Sequence, residues 1–81
     1  MRLDTLDSKK AEAAILEAIR FFQEISGKPE LARSHVSYAR LLKAWGDSTR
    51  VREHLTLASG MFREMGMAWD LARAEEVLQD L

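Results

Sequence analysis

The sequence predicts an all-α chain of four helices arranged as antiparallel hairpins, and three observations predict it. Apolar residues recur at spacings of three and four along almost the whole length, the period of a helix with one buried face. The four glycines and the single proline fall at a few points, leaving little chain for loops. The sequence also repeats itself forty residues on, a period that fits two helices per unit.

The first helix is expected near residues 7 to 26. Its stripe is Ile15, Ala18, Phe22 and Ile25, and Asp7 is placed to accept a hydrogen bond from its first turn. Gly27-Lys28-Pro29 ends it, with glycine suited to the left-handed residue past a helix end and proline to the first turn of the next helix. The second helix, near 29 to 45, carries Leu31, His35, Tyr38 and Leu42. After the Gly46-Asp47 turn, the third runs near 48 to 65 with Val51, Leu55, Ala58, Phe62 and Met65. Gly60 lies inside that periodic run and is expected to admit a neighbouring backbone. The fourth helix follows Gly66-Met67, near 68 to 80, with Leu71, Ala74, Leu78 and Leu81. Connections this short make successive helices antiparallel neighbours.

Sliding the chain forty residues along itself superposes Asp7-Ser8 on Asp47-Ser48, Ala18 on Ala58, Phe22 on Phe62 and Glu24 on Glu64. At the same offset Leu31-Ala32-Arg33 falls on Leu71-Ala72-Arg73, and Leu41 on Leu81. A run of three identical residues, with a matched Ala and Phe in the preceding helix, marks an α-solenoid in which each hairpin buries its stripe against its neighbours.

Composition bounds what such a chain does. At 81 residues, 47% hydrophobic and 31% charged, it is one folded domain, too small for a two-domain enzyme and too apolar for a disordered chain. A net charge of −1 gives no global field for nucleic acid or an anionic membrane. The absence of cysteine excludes a disulfide framework and a thiolate metal site, and makes a reducing cytoplasm the expected compartment. The opening MRLDTLDSKK has no apolar run of the signal-peptide kind, and no stretch matches a membrane span.

The stretch from Ala32 to Asp47, with large Tyr38 beside small Ala39, then Leu42 and the Gly46-Asp47 turn, resembles the first helix and turn of a tetratricopeptide repeat. Val51, Leu55 and Ala58 continue the pattern into the second helix, while His35 stands where the family usually carries a large apolar residue. The forty-residue period and the phrase Ala58-Ser59-Gly60-Met61-Phe62-Arg63-Glu64-Met65-Gly66-Met67 resemble the longer repeats of large bacterial regulators. The resemblance implies a non-catalytic protein-binding scaffold belonging to such a regulator. Self-association and the sensing of a small effector are the alternatives it leaves open. In that family the first helix of each repeat lines a concave groove, here the second and fourth helices.

Arg33, Arg40 and Lys43 follow one another by seven and three residues and are expected on roughly one face of the second helix. That face is either a recognition surface for an acidic peptide or a solvated charged surface. The resemblance to carboxylate-clamp members suggests Arg33 and Arg40 as the donors, although the asparagine of that clamp is missing. Ile19 and Phe21 widen the apolar face of the first helix beyond what one neighbour covers. They are expected, with Leu3 and Leu6 folding over part of it, to form a self-association seam. Residues 33 to 52 carry a balance of +4 and residues 64 to 81 one of −4, an asymmetry that either steers self-association or balances the two halves of one fold.

No catalytic, cofactor or metal site is expected. His35 and His54, the only histidines, lack HExxH or paired-cysteine spacing, and no nucleotide or nucleophile-elbow motif occurs. His35 is expected to cap a packing layer, Trp45 to close the core between helices and Trp69 to be half-buried against the third helix, with peptide anchoring the alternative for both tryptophans.

Overall fold

The computed structural model describes residues 5–81, with side chains from residue 7 onward. It contains four helices and, among the described residues, no strand: α1 (Thr5–Glu24), α2 (Lys28–Ala44), α3 (Ser48–Glu64) and α4 (Ala68–Gln79). Each predicted boundary lies within two residues of the observed one. None of these helices is long and apolar enough to cross a membrane.

Helices α2, α3 and α4 begin at residues 28, 48 and 68, so the forty-residue repeat is built of twenty-residue halves that share one turn. Residues 26, 46 and 66 each take a positive φ, of 57°, 80° and 69°. In each turn the next N–H reaches back to the helix: Gly27 to the Phe22 carbonyl (2.9 Å), Asp47 to Leu42 (3.0 Å), Met67 to Phe62 (2.9 Å). This is the Schellman arrangement, which satisfies carbonyls that the helix end would otherwise orphan. Gly46 and Gly66 suit it, but the first turn corrects the expectation for Gly27: Ser26 takes the left-handed conformation, and Gly27 has φ −78°. A Cβ at 27 would stand 3.0 Å from Glu30 Oε2 and 3.2 Å from Phe22 Cδ1, so a larger residue there requires those side chains to shift by a few tenths of an ångström.

Two other local expectations are corrected. Asp7 lies in the first turn of α1 rather than capping it, whereas Asp47 does cap α3, accepting from the Arg50 N–H at 3.2 Å. A Cβ at Gly60 would meet nothing within 4 Å, so no backbone approaches there.

Each helix packs chiefly on its sequence neighbours, most extensively α2 on α3. The slab measures 37 × 30 × 18 Å, its thinnest dimension roughly two helix diameters. The core sits between α2 and α3: Ala32, Tyr38, Ala39 and Leu42 from one, Val51, Leu55, Ala58 and Phe62 from the other, joined by Ile19 and Ala74. Buried alanines bring the backbones close, and the large side chains fill the space beside them.

Repeat-related positions differ in burial according to how many neighbours their helix has. Phe62 of α3 is 1% exposed because α2 and α4 both flank it, whereas Phe22 of α1 is half-buried against α2 alone. Ile19 is buried at 8%, which removes it from the expected seam: it belongs to the core cluster, with Ile15 packed against it. Ile25 departs from the expected stripe as well, since it falls in the turn after α1 and is exposed. Phe21 is exposed as expected, at 53%. Leu3 lies outside the described residues, as does the side chain of Leu6. At the other end, α4 places Glu75 and Gln79 where α2 buries His35 and Ala39, and both are exposed.

Candidate functional site

Arg33 of α2 reaches Asp70 of α4, Nε to Oδ1 at 3.4 Å and Nη2 to Oδ2 at 3.5 Å, so the two helices lie side by side across α3. Between them runs an open groove of about 330 Å³. Its α2 wall is Arg33, Val36, Ser37 and Arg40, residues at i, i+3, i+4 and i+7 and therefore on one helical face. The α4 wall is Trp69, Asp70, Arg73 and Ala74, and Phe62 of α3 forms the floor.

Two members of the expected cationic face, Arg33 and Arg40, meet in this groove. Lys43 is exposed but does not line the groove: it lies a further turn along α2, toward the helix end and past Arg40. Arg73 replaces it. Arg73 is the repeat equivalent of Arg33, and equivalent positions on neighbouring first helices face the same groove, so the forty-residue offset was the signal for it.

Trp69 is 69% exposed rather than half-buried against α3, and Arg73 lies over its ring at 4.8 Å. A guanidinium stacked on an indole is held flat while its N–H edge remains available. Trp45 is exposed as well, at 40%, past the end of α2 and away from the groove. Arg33, Arg40 and Arg73 stand against Asp70 alone, so the groove carries a balance of +2. Arg40 forms no ion pair among the described residues.

The histidines, nineteen residues apart, meet at the α2–α3 interface with Nδ1 atoms 3.0 Å apart. Their planes are 26° apart and their centroids 5.2 Å apart, which exceeds the nitrogen separation by about one ring width. The two nitrogens therefore point at one another, at a distance at which the N–H of either ring can be donated to the other. Each ring holds its pKa below the usual 6.5. Burial is the larger cause for both, followed by the partner's charge for His35 and by Arg50 for His54.

The His54 ring packs on Tyr38 at 4.7 Å, and the Tyr38 hydroxyl donates to Glu12 Oε2 (2.8 Å) while accepting from Arg50 Nη2 (2.6 Å). Burial first, then the bond to Glu12, raise the phenol above its ordinary value. This network ties α1, α2 and α3 together, so α2 presents the groove from a braced position. Comparison with protein-family models, with curated proteins and with solved structures finds no match.

Proposed function

We propose that the chain is a non-catalytic protein-binding module of the tetratricopeptide kind, belonging to a larger bacterial regulatory protein of the cytoplasm, and that the α2–α4 groove takes an acidic peptide. The observation that carries this reading is the convergence of Arg33, Arg40 and Arg73 beside the exposed Trp69 in one open groove. Guanidinium forks pair with carboxylates by two parallel N–H···O bonds, and an exposed indole supplies the apolar contact typical of a binding hot spot. The rest of the fold supports the reading by bracing these residues on two helices rather than on loops.

The test replaces Arg33 and Arg40 together by glutamate and measures binding of fluorescein-labelled acidic peptides by anisotropy. Loss of binding with helicity unchanged in circular dichroism is the expected outcome; binding at the wild-type level would refute the role of the groove.

A second reading is self-association through α1, favoured by the exposure of Phe21 beside the half-buried Phe22. Light scattering over a wide concentration range tests it. A dimer that Phe21→Glu dissociates supports it, and a wild-type monomer at high concentration refutes it.

A further inference from the structure

Building on the acidic-peptide reading, we infer that the anion for which this groove is made is a phosphorylated side chain of the partner peptide rather than a carboxylate. Charge gives the first argument. Three arginines against Asp70 leave +2 in the groove. One carboxylate would neutralise half of that, whereas a phosphomonoester carries about −1.5 to −2 at neutral pH and closes the balance with a single group.

Donor count gives the second. Two guanidinium forks already saturate the two oxygens of a carboxylate, and the groove offers a third. A phosphoryl group presents three strongly accepting oxygens, one for each arginine. Asp70 lines the same groove, so a second carboxylate brought in by an acidic run meets its charge, while one compact dianion needs no second site.

Arg33 is also positioned for this role. Its contacts with Asp70 are at 3.4 and 3.5 Å, and its side chain is 58% exposed while that of Asp70 is 16% exposed. Asp70 therefore holds Arg33 near its working position through Nε and Nη2, and the remaining guanidinium nitrogen is available to an incoming anion. Arg73 is oriented by the Trp69 ring, whose exposed face receives the residue next to the phosphorylated one. A nucleic-acid backbone is the poorer fit. The groove accommodates one anionic group, the net charge is −1, and residues 64 to 81 around α4 carry a balance of −4 that repels a continuous phosphate track.

The experiment uses three fluorescein-labelled peptide pools with identical degenerate flanks and one central position fixed as phosphoserine, glutamate or serine. Anisotropy at pH 7.5 reads binding to the intact chain. The phosphoserine pool is expected to bind about tenfold or more tighter than the glutamate pool, in line with the stronger bonds of a dianion to arginine. Arg73→Gln, on an exposed site of α4, is expected to weaken binding of both pools and to shrink the phosphoserine-over-glutamate preference; a preference unchanged by this variant overturns the assignment of the third arginine to the phosphoryl group.

Equal affinity for the phosphoserine and glutamate pools overturns the inference and leaves the acidic-peptide reading standing. Binding of no pool overturns both. Displacement of the phosphoserine pool by single-stranded RNA at equal phosphate concentration overturns the assignment to a peptide.

Discussion

Phe62 and Phe22 occupy the same position of the two repeats, and replacing each by alanine tests whether α1 is an outer helix with one neighbour. Phe62 is 1% exposed between α2 and α4, so truncation there leaves a cavity that neither helix fills; such losses cost about 3 to 5 kcal/mol. Phe22 is half-buried against α2 only, and its site is open to water, which fills the space left behind. About half the burial and no sealed cavity give about 1.5 to 2.5 kcal/mol. At about 0.05 to 0.15 kcal/mol per residue, the wild type has a total of about 4 to 12 kcal/mol, so Phe62→Ala removes a large part of it. Urea titration followed by far-ultraviolet circular dichroism, with trimethylamine N-oxide present to secure the folded baseline, measures both variants. Equal losses would refute the reasoning, because they would mean that Phe22 on α1 is packed as deeply as Phe62 on α3.

Three further predictions concern local structure and pH. Gly60→Ala, in the interior of α3 with nothing within 4 Å of the added methyl, is expected to stabilise by about 1 kcal/mol; a loss of stability in the same urea assay would contradict the open space seen there. Ser26→Gly relieves the positive φ of the first turn and is expected to stabilise by about 0.5 to 1 kcal/mol, seen as a higher melting temperature, whereas an unchanged or lower one would refute the left-handed assignment. Both histidine pKa values lie below their unfolded value, so the native chain binds fewer protons than the unfolded one as pH falls. Stability is thus full above about pH 6.5 and declines below it as the unfolded chain gains those protons. Urea midpoints between pH 7.5 and 5.5 should fall, and His54→Gln should flatten the slope; a slope unaffected by that change would refute the lowered pKa of His54.

Much of the fold was legible because helical period and turn residues act locally. The repeat made Gly46 and Gly66 equivalent, and both close their helices as the sequence indicates. Ser26 was missed because a non-glycine residue at positive φ carries no local signal, and the adjacent Gly27 offered a more familiar candidate. Gly60 was misread because a glycine inside a helix looks the same in sequence whether a neighbour approaches or not. The groove was half legible. Arg33 and Arg40 follow from helical spacing, but the exclusion of Lys43 depends on how far along α2 the groove extends, and Arg73 on the pairing of α2 with α4, a tertiary relation that only the forty-residue offset encodes. Ile19 was assigned outward because the sequence shows how wide an apolar face is, not where along it the neighbouring helix sits. The His35–His54 contact brings together residues on two helices at no recognisable motif spacing, so only the register of α2 on α3 reveals it.

The central claim is that the α2–α4 groove is the binding surface, and the two tryptophans report on it from opposite situations. Trp69 lines the groove and Trp45 does not. In a two-dimensional 15N–1H spectrum of the chain titrated with an acidic phosphopeptide pool, the Trp69 indole N–H and the amides of Val36, Ser37, Arg40 and Arg73 should shift together while the Trp45 indole stays in place. Shifts confined to Trp45 and the amides of α1, with Trp69 unmoved, would contradict the account.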